Sequence, residues 1–117
     1  MIIAANIVVG VVAALHLWFL VLEMFLWNRP MGLRTFHMTQ AVADASAALA
    51  ANQGLYNGFL AAGLIWGLWT HLLAAKVFFL ICIVAAGVFG GLTARRSILY
   101  IQALPAALGL LLLYVAR

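Results

Sequence analysis

Two ionisable side chains stand inside otherwise apolar runs, His16 and Glu23. At about 100° per residue, His16, Leu20, Glu23 and Trp27 fall on one stripe of a helix, spaced four, three and four as in a packing seam. Seven residues separate His16 from Glu23, about 10 Å along the axis, so the two can line one cavity at different depths but cannot hydrogen-bond directly. Either has the chemistry of a general base or a proton carrier, and both are candidate catalytic groups. A second set is rich in amides. Asn52 with Tyr56, and Gln53 with Asn57, make two i, i+4 pairs over an arc of about 140° on one helix. Gly63 and Gly67 continue that face. Thr93 and Gln102 complete the polar residues in apolar surroundings.

These residues must be positioned by helices in a bilayer. The chain has 117 residues, of which 69% are hydrophobic and 7% charged, far from the composition of a soluble domain. A crossing needs about 20 apolar residues, so four crossings with short links account for nearly the whole chain. The expected fold is therefore all-α, an integral membrane four-helix bundle forming a single domain over residues 1–117. The helices are expected at 2–28, 40–69, 72–94 and 97–116. The first stops at Asn28-Arg29-Pro30, because proline lacks a donor and restricts its predecessor. Residues 29–39 read as a link, and residues 40–51 as an interfacial start to the second crossing. Lys76 lies close enough to the start of the third to snorkel toward headgroups. Pro105 predicts a kink near Gln102 in the fourth. The N-terminal run lacks the basic region and cleavage site of a signal peptide and reads as a retained helix.

The basic residues set orientation. Arg29, Arg34, Arg95 and Arg96 fall in the first and third links, against Lys76 and Arg117 on the other side. By the positive-inside rule those links face the cytoplasm and both termini face outward. The net charge of +4 therefore reads as topological, with no nucleic-acid partner. Placing the middle of each crossing at the bilayer centre, at about 1.5 Å per residue, puts Glu23, Gln53 and Asn57 at one level in the cytoplasmic half. Gln102 falls near them, and His16 close to the midplane. A charged side chain in hydrocarbon costs about 2.5 to 3.5 kcal/mol on insertion scales, so polar groups converging from three helices point to a pocket. Glu23, Asn52, Gln53, Tyr56, Asn57 and Gln102 are its expected ligand-binding residues.

Simpler roles exist for each of them. Glu23 can pair with Arg29 or Arg34 at the interface, the amides can join helices, and a neutral His16 can bond a neighbouring helix. Cys82 is the single cysteine, which excludes an internal disulfide. No metal cluster, paired-carboxylate site, Ser-His-Asp order or phosphate-cradling loop is present.

The string Asn52-Gln53-Gly54-Leu55-Tyr56-Asn57-Gly58-Phe59-Leu60 joins His16, Glu23, Trp27, Phe36, the segment 87–90, Thr93, Gln102 and Pro105 in a pattern. With it the chain resembles the bacterial domain-of-unknown-function 1304 family over essentially its whole length. The resemblance implies a four-helix membrane protein with no established activity. Small multidrug-resistance exporters are similar in size, helix number and an embedded Glu in the first helix, but they have no counterpart of Asn52 to Asn57. Membrane-associated glutathione-metabolising enzymes are four-helix trimers with polar motifs on the second helix, and their Arg-rich, Glu-bearing pattern is missing here. Both are analogies of fold.

Three functions remain open on these residues. The leading expectation is a multi-pass protein of the bacterial cytoplasmic (inner) membrane that binds, or transforms, a small lipophilic molecule, with Glu23 as acid-base or cation-pairing group. The second is a proton-coupled carrier using Glu23. The third is a structural or assembly subunit whose polar face only packs. Cofactors are unreadable, and the small volume of a four-helix bundle favours a homo-oligomer.

Overall fold

A computed structural model describes all 117 residues. The chain is all-α, with α1 Ile2–Met24, α2 Pro30–Phe36, α3 Gln40–Trp69, α4 Leu73–Thr93 and α5 Leu104–Ala116, the last entered through a π-helical turn Leu99–Ala103. Ile2–Met24, Leu73–Thr93 and Leu99–Ala116 are long and apolar enough to cross a membrane. At 30 residues α3 is longer than any of them. The residues that set it apart are Asn52, Gln53 and Asn57, whose amides lower the hydropathy of its second half. Ile3, Leu49, Phe89 and Leu92 are each at least 70% exposed. That much bare aliphatic and aromatic surface suits hydrocarbon rather than water.

The link 29–39 holds a helix of its own. Arg29 is extended (φ −98°, ψ 167°) and Pro30 follows in the first turn of α2, where a missing N–H costs nothing and the fixed φ favours helix. α1 itself stops at Met24, short of the expected end at Asn28-Arg29-Pro30, where the Leu26 N–H turns back to the Val21 carbonyl; the proline does not end that helix but begins the next. α2 closes at His37, whose φ of 54° lets the following N–H of Met38 reach back to the Leu33 carbonyl. α3 then starts behind Thr39, whose hydroxyl accepts from the Val42 N–H at 3.3 Å.

Two compact units divide the chain, one of residues 14–61 and the other of residues 1–13 and 62–117. The first is built on a seam of small residues. Along α3, Ala43, Ala47, Ala50, Gly54, Asn57 and Ala61 are spaced four, three, four, three and four, so they recur on one face. Ala43, Ala50, Gly54 and Ala61 are buried there. Leu20 of α1 fills the space that a Cβ on Gly58 would need, its Cδ1 2.6 Å from that point.

The second unit packs α4 against α5 and the first half of α1. Ala5, Val9, Val12, Leu80, Ile83, Ala106 and Leu113 form its core. Gly87 lies against Ala103 and Gly91 against Leu99, a small-residue face that admits the π-helical turn closely. That turn sits where the kink near Gln102 was expected. The Leu104 N–H bonds the Leu99 carbonyl, five residues back, and Pro105 follows directly. Proline can neither bond the carbonyl four residues before it nor tolerate it nearby, so the preceding turn widens.

Lys76 departs from the snorkelling expectation. It is 4% exposed, and its Nζ donates to Asn6 Oδ1 at 2.9 Å. An amide on α1 in the same unit offers the ammonium an acceptor that lipid cannot, and this holds the side chain inside.

Candidate functional site

The polar chemistry of residues 14–61 gathers along the line where the last turns of α1 meet α3. Glu23 is the penultimate residue of α1. It reaches α3 because Gly54 has no side chain: a Cβ there would stand 3.0 Å from Glu23 Cβ and 3.2 Å from the Leu20 carbonyl oxygen. The backbones can therefore approach closely, and the Asn57 amide Nδ2 donates to Glu23 Oε1. Both side chains are partly buried. An ionised carboxylate offers about four lone-pair positions, so one amide leaves acceptor capacity for a further donor.

Three further contacts continue the line beyond the end of α1. Trp27 Nε1 donates to Ser46 Oγ at 3.0 Å, while Asn28 Nδ2 and Gln40 Nε2 both donate to Asp44 Oδ1, at 3.2 and 2.9 Å. Gln40 Nε2 also reaches the Asn28 carbonyl at 3.0 Å. The Trp27 ring leans on Phe36 of α2, centroids 4.8 Å apart. This network fixes the register of α1 on α3 from one end, and thereby the level at which Glu23 finds Asn57.

The expected site residues separate into three groups. Glu23 and Asn57 are brought together. Asn52, Gln53 and Tyr56 are exposed on α3, on a face that begins at the seam with Asn57 and turns away through about 140°. Gln102 belongs to the other unit. His16 is fully buried, edge-on to Phe19 at 5.1 Å between ring centroids, and stands two helical turns from Glu23. Arg29 and Arg34 are exposed, and the partner of Glu23 is an amide rather than a guanidinium.

The spacing Gly54-x-x-x-Gly58 carries a signal that the reading of polar residues passed over. Two small residues four apart mark the face through which helices approach in a bilayer, and here they mark the side of α3 that faces α1. Gly63 and Gly67 repeat the spacing within the second unit, against the Phe79 ring and Lys76.

The family model described as "Protein of unknown function (DUF1304)" matches residues 10–114. The chain belongs to the DUF1304 family. No curated protein and no solved structure matches it. The matched span contains Glu23, the small-residue seam and the amide face, so the arrangement described above lies within the DUF1304 region of the chain.

Proposed function

We propose that this DUF1304 protein is a four-crossing membrane protein, spanning with α1, the second half of α3, α4 and the helix Leu99–Ala116, and that it binds a small lipophilic molecule carrying a positive charge at Glu23. The observation that carries the reading is the bond between Glu23 and Asn57. The amide holds the carboxyl in place without bringing an opposing charge, which leaves lone pairs for a cationic ligand. A carboxylate used only for anchoring would take one of the nearby arginines as partner. Gly54 and the alanines of the seam supply rigid support, and the exposed Gln53, Tyr56 and Asn52 lie on the adjoining face of α3, where a ligand's polar atoms would meet them.

Glu23→Gln is the direct test. Glutamine keeps the length of the side chain and an oxygen that accepts from Asn57, and removes only the charge. A lipophilic cation such as tetraphenylphosphonium should bind the purified protein in neutral detergent at least tenfold more weakly after the change. An amide that keeps full affinity, or a wild type that binds no lipophilic cation, refutes the proposal and leaves the packing role.

In the proposed arrangement the links bearing Arg29, Arg34, Arg95 and Arg96 face the cytoplasm of a bacterial cell and both termini face outward. Reporter fusions at the C-terminus should accordingly be active only outside the cytoplasmic membrane. A cytoplasmic signal would turn the Glu23 site toward the other face.

A further inference from the structure

The unit of residues 1–13 and 62–117 contains a second polar site, one the proposed function leaves unused. Lys76 is buried, and its hydrogen-bond partner is the neutral amide of Asn6. An ammonium has three donors, and an amide oxygen satisfies one of them. The two carboxylate side chains of the sequence, Glu23 and Asp44, both lie in the other unit. A buried cation without an anionic partner is costly, and such groups are retained where an anion completes them.

Lys76 and Asn6 line a cavity of about 210 Å³ together with His71 and Arg117. Leu73, Leu113 and Arg117 also line a second cavity of about 480 Å³, whose remaining wall is Val77, Leu110, Leu111 and Tyr114. The two share these residues as a common wall: a small chamber with four nitrogen-bearing side chains adjoins a larger apolar groove between α4 and α5. Arg117 marks the junction, its guanidinium 4.4 Å above the Tyr114 ring. Stacking on an aromatic face leaves the guanidinium edge able to bind an oxyanion.

We propose that this composite cavity binds an anionic amphiphile, its oxyanion headgroup held by Lys76 and Arg117 and one acyl chain lying in the groove along Val77, Leu110 and Leu111. The charge chamber by itself would suit free phosphate equally. The adjoining apolar groove selects a ligand with a chain, and basic pockets between membrane helices are known lipid-headgroup sites.

The test uses the full chain in neutral detergent and reads thermal unfolding with four additions: phosphatidylglycerol, phosphatidylcholine of the same acyl composition, a long-chain fatty acid, and inorganic phosphate. A ligand specific to the folded state raises Tm in proportion to its saturation. Phosphatidylglycerol should raise Tm by several degrees, phosphatidylcholine and phosphate by less than one. A comparable rise with the fatty acid also supports the proposal and shows that a carboxylate suffices as headgroup. Lys76→Gln and, separately, Arg117→Gln should each reduce the shift at least by half. Arg117 is exposed, so its change leaves folding intact even if Lys76→Gln does not. Equal shifts from phosphatidylcholine, a full shift from phosphate alone, or an undiminished shift in Arg117→Gln would falsify the assignment.

Discussion

Gly32→Ala should cost about 3 kcal/mol or more, the upper end of what overpacking does and a large share of a small protein's stability. Gly32 is buried in α2, with a φ any residue can adopt, so what it needs is space. A methyl group there would stand 2.1 Å from the Leu26 carbonyl oxygen and 2.3 Å from that of Trp27. Both are backbone atoms just past the end of α1, and no rotamer change relieves them. α2 would have to lift away, pulling Phe36 off the Trp27 ring and loosening the turn that sets the register of α1 on α3. In a thermal melt in detergent Tm should fall by about 10 °C or more. Gly10 supplies the comparison, because nothing lies within 4 Å of a Cβ placed there. Gly10→Ala should leave Tm unchanged or slightly raised, since alanine favours helix over glycine. Equal melting of the two variants would mean that α2 does not sit against the end of α1.

The second large effect is a coupling between Glu23 and Asn57. Asn57→Leu removes the carboxylate's donor and leaves a partly buried acceptor unsatisfied, a loss of about 1 to 3 kcal/mol. Glu23→Met should cost less, because an amide at the edge of the seam can turn toward its exposed neighbours. The double variant replaces the pair with two apolar groups of similar volume on a face already lined by alanine and glycine. It should be nearly as stable as wild type. The expected signature is thus a sum of single losses exceeding the double loss by about 1 to 2 kcal/mol. Additive losses would show that the two side chains do not interact. This cycle reads stability alone and separates the geometry of the pair from its role: the coupling holds whether or not a cation binds. Loss of lipophilic-cation binding in Glu23→Gln, which keeps the hydrogen bond, bears only on the role.

Much of the helical architecture was legible because its cause is local. Apolar runs of about 20 residues in α1, α4 and the last helix follow directly from solvation of each segment, and such runs can be found without knowing what they touch. The stripe of His16, Leu20 and Glu23 was legible for a related reason, whereas Trp27, expected on the same stripe, lies in the turn past the end of α1. Helical periodicity places the first three on one face whatever their partner, and the matching period of small residues on α3 shows which partner fits.

Other features depended on neighbours distant in sequence. Pro30 is compatible with stopping one helix and with starting another, and only the space at Gly32 beneath Leu26 and Trp27 shows α2 docked in what read as a link. Glu23 had two arginines close in sequence and an amide 34 residues away. Helix packing through Gly54 brought the amide within reach, while the arginines remain at the surface. Lys76 read as a side chain free to reach the headgroups, because its position near a helix end permits that. Its acceptor, Asn6, lies 70 residues earlier in the chain. Hydropathy and periodicity are properties of one segment, and they determined where the long helices lie, which segments are apolar and which faces carry the polar groups. The partner of a buried polar group is a property of two segments, and only the tertiary structure decided that Glu23 meets an amide and that Lys76 stays inside.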